Sequence, residues 1–363
     1  MSADSDPRLH YVKPAVECFH GGQSYYECPN FKYDFSVSTN ISGPPKTAVE
    51  AAKKAIVDLE HYPDQDAWVP RCHLADFLGI DPMQILMGNG SSELIDVLFR
   101  VFPPTTTYKE GPWDCQYHEY ARAAESSGLV KVSSFNEPSA LTIIINPNTP
   151  TGNYLELSEL REIISKEPNS TFIIDESFLI NKGRDWLQSS AINLVKEFGD
   201  RVVVIISWTK PFACPLIRLG SVISSKAMIA RIAKLQAPWS VNGFAQNFFV
   251  AALHEKDYFE EMWRETPIIK AEMIKILKEM KLEPNEKSPL WVPYVYLKMP
   301  SSECAKVAEK VSFDNGMPVR NCESFGKPDH LRISVRRIDA FKELIAAWKA
   351  DKKLMEMINA GSQ

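Results

Sequence analysis

Runs of apolar, mostly β-branched residues punctuate the middle of the chain, with amphipathic stretches between them. Val202 to Ile206, closed by Ser207, is one; Leu141 to Ile145, Phe172-Ile173-Ile174 and Ile85-Leu86-Met87 are others. A run without polar alternation is a strand buried on both faces, which favours a parallel sheet. The stretches between carry the helical period. One opens with a capping box, Thr47-Ala48-Val49-Glu50, and reaches about Leu59. Ser91 to Val101 sets Leu94, Ile95, Leu98 and Phe99 on one face, and Leu157 to Lys166 forms the next. Strands alternating with helices predict an α/β fold with a mainly parallel sheet and right-handed crossovers.

Beyond about residue 250 the pattern changes. A long charged helix is expected from Tyr258 to Lys281, strands around Tyr294-Val295-Tyr296 and Leu331 to Val335, and a last helix from about Ala340 to Met355. This stretch reads as a smaller α+β domain. The expected division is a large domain over 46–255 and a small one formed by 1–45 with 256–363. A chain of 363 residues is indeed long for one core.

Composition then narrows the function. A net charge of −5 leaves no basic excess, so a nucleic-acid partner is not expected. No stretch approaches ~18 uninterrupted apolar residues, so no membrane span is expected. The first residues, Met1-Ser2-Ala3-Asp4-Ser5-Asp6-Pro7, lack the apolar core of a secretory signal. Seven scattered cysteines without a CxxC pair suit reduced thiols in the cytoplasm and offer no metal cluster.

Six places carry chemistry. Lys210, in Ser207-Trp208-Thr209-Lys210, follows the buried run Val202 to Ile206 and stands at the carboxyl end of the sheet, where ligands of open α/β folds sit. Desolvation there disfavours the ammonium form and suits Schiff-base chemistry with an aldehyde; a surface charge at a strand end is the plainer alternative. Gly88-Asn89-Gly90-Ser91-Ser92-Glu93 lies between a strand and a helix, as an anion-binding turn or a simple loop. Asp175 ends an apolar strand, where a carboxylate needs a cationic partner such as a protonated pyridine nitrogen, or serves as a helix N-cap. Arg332, within Leu331 to Val335 and twelve residues after Arg320, suits a substrate carboxylate or a structural ion pair. Tyr117 and Tyr120 offer flat rings for stacking, and Asn146-Pro147-Asn148-Thr149-Pro150-Thr151-Gly152 makes a rigid bend at a strand end.

A phosphate turn, an aromatic, this Asn-rich bend, Asp, Lys, Arg and two late arginines follow one another along the chain. That order resembles the aspartate-aminotransferase superfamily of pyridoxal-phosphate enzymes, fold type I, over almost the whole length. The resemblance implies a seven-stranded-type sheet with helices on both faces and pyridoxal 5'-phosphate as cofactor. It implies Lys210 as the cofactor-linking lysine and Asp175 as partner of the pyridine nitrogen. Asn148 would be the donor near the phenolic oxygen, although some members carry asparagine where this chain has Thr149. Ser91 and Ser92 by their backbone, with Ser207, Thr209 and Arg218 by their side chains, would hold the phosphate, and Tyr117 would stack on the ring. Tyr62, in His61-Tyr62-Pro63-Asp64, matches a tyrosine that reaches the phosphate of a neighbouring subunit, which implies a homodimer.

Within the superfamily the chain is similar to the histidinol-phosphate aminotransferase branch, and there to threonine-phosphate decarboxylases acting at Cα of a small amino acid. The carriers are His20-Gly21-Gly22-Gln23, the segment Asp34-Phe35-Ser36 with Asn40 and Gly43-Pro44-Pro45, Tyr117 to Ala123, and Arg320 with Arg332. This likeness implies that His20, Gly22, Asn40, Arg320 and Arg332 face the substrate, the two arginines on its carboxylate. Phe178 stands where aminotransferases of the branch usually have a tyrosine bonding the phenolic oxygen. Two departures matter. Gln23 replaces an asparagine, and Ser24-Tyr25-Tyr26-Glu27-Cys28 is acidic and aromatic at the expected substrate mouth. A guanidinium or ammonium side chain would suit that mouth, so a cyclase of hydroxylated arginine, like capreomycidine synthase, stands beside decarboxylase and aminotransferase.

Overall fold

The computed structural model describes residues 20–22, 27–255 and 257–361. Eleven strands form two sheets among these residues. The larger takes β1 (Ile85–Asn89), β2 (Thr107–Glu110), β3 (Val130–Lys131), β4 (Leu141–Ile145), β5 (Thr171–Asp175), β6 (Val202–Ser207) and β7 (Leu219–Ile223) in the order β1-β7-β6-β5-β4-β2-β3. Six strands run in one direction. Only β7 is reversed, antiparallel to both β1 and β6.

The helices are α1 (Lys46–Lys54), α2 (Trp68–Leu78), α3 (Gly90–Phe99), α4 (Glu119–Ser126), α5 (Leu157–Lys166), α6 (Val195–Phe198), α7 (Lys226–Ala233) and α8 (Gly243–Leu253). They cover both faces of the sheet, and β6 shows why its sequence has no polar alternation. Val202, Val204 and Ile206 enter one apolar core, with Leu74, Phe212 and Phe249. Val203 and Ile205 enter the other, with Leu94, Leu98 and Tyr120. Each side chain of the run is therefore out of water whichever way it points.

The second sheet has the order β10-β11-β9-β8, all antiparallel: β8 (Glu283–Pro284), β9 (Tyr294–Lys298), β10 (Arg320–Asn321) and β11 (His330–Ser334). Its core gathers Val295, Leu297, Leu331 and Ile333 with apolar faces of α9 (Glu260–Glu279), α10 (Ser302–Asp314), α11 (Ile338–Ala350) and α12 (Lys352–Ala360). Helix α9 serves both cores. Met262 packs in the core of the large sheet, and Ile269, Met273 and Leu277 in that of the small one, with Pro267 between. The segment from Lys32 to Asn40 ties into the small sheet through Phe35 N–H to Pro318 O and Ser334 N–H to Phe35 O, both 2.9 Å.

Two expectations fail, one to a distant residue and one to a local cap. Thr47 does not cap a helix: α1 begins at Lys46 behind Pro45, the Thr47 hydroxyl is drawn to Glu255, and Glu50 pairs with Lys53. The last helix is two helices, because the Asp351 carboxylate leaves the helical path to accept from Leu354 N–H at 2.8 Å and so caps α12.

Candidate active site

The strand ends bring the polar residues together. Strand β5 delivers Asp175, only 7% exposed. Its Oδ1 accepts from Ser177 N–H at 2.8 Å and its Oδ2 from the Tyr120 hydroxyl at 2.7 Å. These bonds favour the carboxylate, yet burial outweighs them and the Asp175 pKa is raised. Among the described residues this carboxylate feels the Lys210 charge but forms no ion pair, and a protonated ring nitrogen would supply one. Tyr120, which the sequence suggested as a stacking ring, is instead wholly buried and works through its hydroxyl. Tyr117 is half-buried, its ring 6.4 Å from that of Tyr120 at 75°.

Lys210 follows β6 on a tight turn that Asn40 holds in place. Asn40 N–H donates to Lys210 O, and the Asn40 amide donates to Pro211 O, both at 3.0 Å, while its Oδ1 accepts from Ser42 N–H. The Asn40 side chain, expected to face substrate, is thus engaged with the turn. Burial lowers the Lys210 pKa to about 8, helped by the positive charges of Arg332 and Arg218 and opposed by Asp175. Half of such amines are uncharged at pH 8, which makes this a usable nucleophile and base.

A third group forms at the start of α3. Ser91 and Ser92 lie in its first turn, behind Asn89, whose side chain makes no capping bond. A Cβ on Gly90 (φ +78°) would come 2.2 Å from Arg218 Nη2 and push the guanidinium aside, besides straining the backbone. Gly220 has no such latitude, since its Cβ would meet the backbone Ser91 N at 2.5 Å. Arg218 itself takes a left-handed backbone (φ +64°) and donates to Pro215 O at 3.1 Å. The Ser207 and Thr209 hydroxyls lie 2.8 Å apart, both buried. Helix amides, two hydroxyls and a guanidinium pressed against a bare glycine make a cradle that fits a phosphate dianion.

The small sheet brings the arginines. Arg320 and Arg332 are register partners on β10 and β11. Arg332 donates to Thr149 Oγ1 at 2.7 Å and to Ser36 O at 2.8 Å, and its buried Nε has no protein partner. Arg320 donates to Ser324 Oγ at 2.6 Å and lies 5.4 Å from the Phe325 ring centre. At the other side His20 Nε2 meets Glu119 Oε1 at 3.0 Å, with its ring 5.7 Å from that of Tyr117. That bond, with Arg122, holds the Glu119 carboxyl down at about 2 against the cost of its burial. Gly22 N–H donates to Ser36 Oγ at 2.9 Å. Gln23, Ser24, Tyr25 and Tyr26 lie outside the described residues, and Glu27 is exposed.

Tyr62 stands apart from this group, 80% exposed, with its ring 4.7 Å from that of Trp239. Residues that the sequence reading passed over include Ser177, whose Oγ accepts from Ser207 N–H at 2.9 Å and links β5 to β6, and Tyr294, whose hydroxyl donates to Asn148 O at 2.6 Å. No motif marks a hydroxyl that serves backbone, and neither had a signal to find.

Residues 32–347 match the family described as aminotransferase class I and II. A protein of Caldanaerobacter subterraneus bearing the provisional name threonine-phosphate decarboxylase is 30% identical over 340 residues, 88% of this chain and 89% of its own. This chain belongs to the class I and II aminotransferase family. Its members depend on pyridoxal phosphate, and so does this enzyme. Among solved structures, L-threonine-O-3-phosphate decarboxylase from Porphyromonas gingivalis shares the fold with a TM-score of 0.76 at 20% identity, covering 88% of this chain and all of that one. Histidinol-phosphate aminotransferase from Sinorhizobium meliloti, solved with pyridoxal-5'-phosphate, does so with 0.77 at 18%, covering 91% and 92%. These likenesses bear out the aspartate-aminotransferase-like α/β fold and the cofactor expected from the sequence. Among the described residues no helix is long and apolar enough to cross a membrane.

Proposed function

We propose that the enzyme decarboxylates a small phosphorylated amino acid of the phosphothreonine type. When bound, the cofactor supplies an electron sink for the bond broken at substrate Cα. The chain's own residues do the rest. Lys210 anchors the cofactor and then holds or returns a proton at Cα through Nζ. Asp175, kept in place by Tyr120 and Ser177, holds the proton on the ring nitrogen. Ser91, Ser92, Ser207, Thr209 and Arg218 fix the phosphate, Tyr117 covers the ring, and His20, Gly22, Arg320 and Arg332 receive the amino acid. The carrying observation is geometric: Lys210 follows the end of β6 while the buried Asp175 ends the neighbouring parallel strand β5.

The decarboxylase reading draws support from the 30% identical relative and from Phe178, which has no hydroxyl where the branch's aminotransferases usually carry one. It is tested by incubating the cofactor-loaded protein with phosphothreonine, histidinol phosphate plus 2-oxoglutarate, and hydroxyarginine in separate reactions. Release of carbon dioxide from phosphothreonine alone is the expected result. Conversion of 2-oxoglutarate to glutamate would establish an aminotransferase instead, and a cyclised guanidine product would establish a cyclase.

We also propose a homodimer in which Tyr62 serves the partner's phosphate site. Support comes from apolar side chains left in water on the segment just before it, Val57 at 80% and Leu59 at 70% exposed, and from the half-exposed Trp239 against its ring. The division of the chain into 46–255 and 1–45 with 256–363 remains our assignment of the two domains.

A further inference from the structure

Lys270 is a buried amine with no part in the chemistry above. It stands on α9, the helix that serves both cores, three residues after Pro267, and is wholly out of water. Among the described residues no ion pair joins it, and burial lowers its pKa to about 7. Its Nζ donates to Ser288 Oγ at 2.7 Å and to Pro289 O at 2.8 Å. Those are two bonds, as many as an uncharged amine has hydrogens, so the clamp survives loss of the charge. Burying an amine costs free energy that an apolar side chain of the same length would not. What it gains here is a grip on one segment.

That segment lies along the bend at the end of β4. At one end the Asn285 amide donates to Thr151 O at 2.7 Å and to Asn153 Oδ1 at 2.9 Å. At the other the Tyr294 hydroxyl donates to Asn148 O at 2.6 Å. Between them Ser288, itself buried, presses on Gly152 (φ +77°), where any Cβ would collide with Ser288 Oγ. The oxygen that receives Lys270 is thus the atom that fills the space beside Gly152. Gly152 N–H closes the bend on Asn148 O at 2.7 Å, and Thr149 within it accepts from Arg332 Nη1 at 2.7 Å. Contact runs without a gap from α9 to the guanidinium.

We propose that Lys270 is a positioning residue: from behind the 285–294 segment it holds Ser288 on Gly152, and so sets the bend on which Arg332 rests to receive the substrate carboxylate. This rests on the role given to Arg332 above.

Hydrogen exchange of the cofactor-loaded protein, followed by mass spectrometry, reads the bend directly. Lys270→Met should speed exchange in 146–153 about tenfold and leave 88–99 at the parent rate. Affinity for O-phospho-L-threonine, followed by the visible absorbance, should weaken by about tenfold, the scale of the hydrogen bonds removed. Affinity for pyridoxal phosphate should hold, because Ser91, Ser92 and Arg218 stand at other strand ends. Ser288→Ala removes the same contact from the other side, and carries the same expectation if the methionine protein does not fold. The double variant should lose no more than the worse single, as residues acting through one contact do. Unchanged exchange in 146–153 overturns the proposal, as does faster exchange spread evenly over the chain, or a double variant whose losses add. A parent protein that does not bind O-phospho-L-threonine would bring down the substrate reading alone, since the exchange rates still decide the role of Lys270.

Discussion

The guanidinium of Arg218 occupies the space that any side chain on Gly90 would need, with Nη2 2.2 Å from the position of the missing Cβ. Gly90 also sits at φ +78°, which a larger residue adopts only with strain. Gly90→Ala should therefore displace Arg218 and cost about 1–3 kcal/mol at this turn. Titration of the apoprotein with pyridoxal phosphate should show affinity weakened at least tenfold. Unchanged affinity would mean that Arg218 is not part of the phosphate cradle.

Tyr120→Phe removes one of the three donors, the others being the Ser177 hydroxyl and N–H, that keep Asp175 ionised against the cost of its burial. The Asp175 pKa is already raised, so losing a donor raises it further. Cofactor affinity should fall by about tenfold, the equivalent of one hydrogen bond to a charged group. The loss should be larger at pH 6 than at pH 8, because the proton that neutralises Asp175 binds more readily at the lower pH. Equal loss at both would place the effect in packing.

Lys210 gives a pH signature in the apoprotein. Its pKa is about 8 in the fold against 10.5 for a free lysine, so the unfolded chain binds the extra proton between these values. Stability due to this group is therefore diminished below about pH 8 and recovered as pH rises toward 10.5. Urea unfolding should find Lys210→Met more stable than the parent at pH 7 by about 1–2 kcal/mol, with partial exposure keeping the figure below its full linkage value. The gap should close above pH 10. A gap that widens with pH would be the wrong sign for a desolvated amine.

Val57→Asp addresses the proposed dimer. A carboxylate on a patch that a second chain covers would be buried without a partner. Sedimentation should show the parent at twice the chain mass and the variant at one, with weaker cofactor retention because Tyr62 loses the neighbour it serves. A parent that sediments as one chain refutes the dimer.

The central strands β4, β5 and β6 were legible because both-face burial writes an uninterrupted apolar run, as in Val202–Ile206 and Leu141–Ile145, whereas the short, partly polar β2 and β3 write none. Strand β7 was not, although it is fully buried. Gly220 and Ser221 interrupt its apolar pattern, and their smallness answers to Ser91 and to the Trp208 indole N–H that Ser221 Oγ accepts at 2.9 Å. Such contacts exist only after folding. The same holds for the site. Lys210, Asp175 and Arg218 were readable from strand ends and motif order, whereas the spending of Asn148's amide on Cys115 and Thr151 depends on how a buried bend closes on itself. The Thr47 capping box shows the converse: a valid local signal lost to Glu255, far along the chain.

The short stretch of main chain from Ser36 to Asn40 touches both working ends of the molecule. Arg332 donates to Ser36 O, and Asn40 N–H grips Lys210 O. Arg336 fastens the length between, through Val37 O and through Thr39 O at 3.1 Å. Four peptide links, spanning at most about 14 Å, thus join the arginine proposed to hold the substrate to the backbone beneath the amine. Neither can be moved without tugging on the other, so an insertion or deletion in this little tether would mistime the chemistry even with every side chain of the site intact.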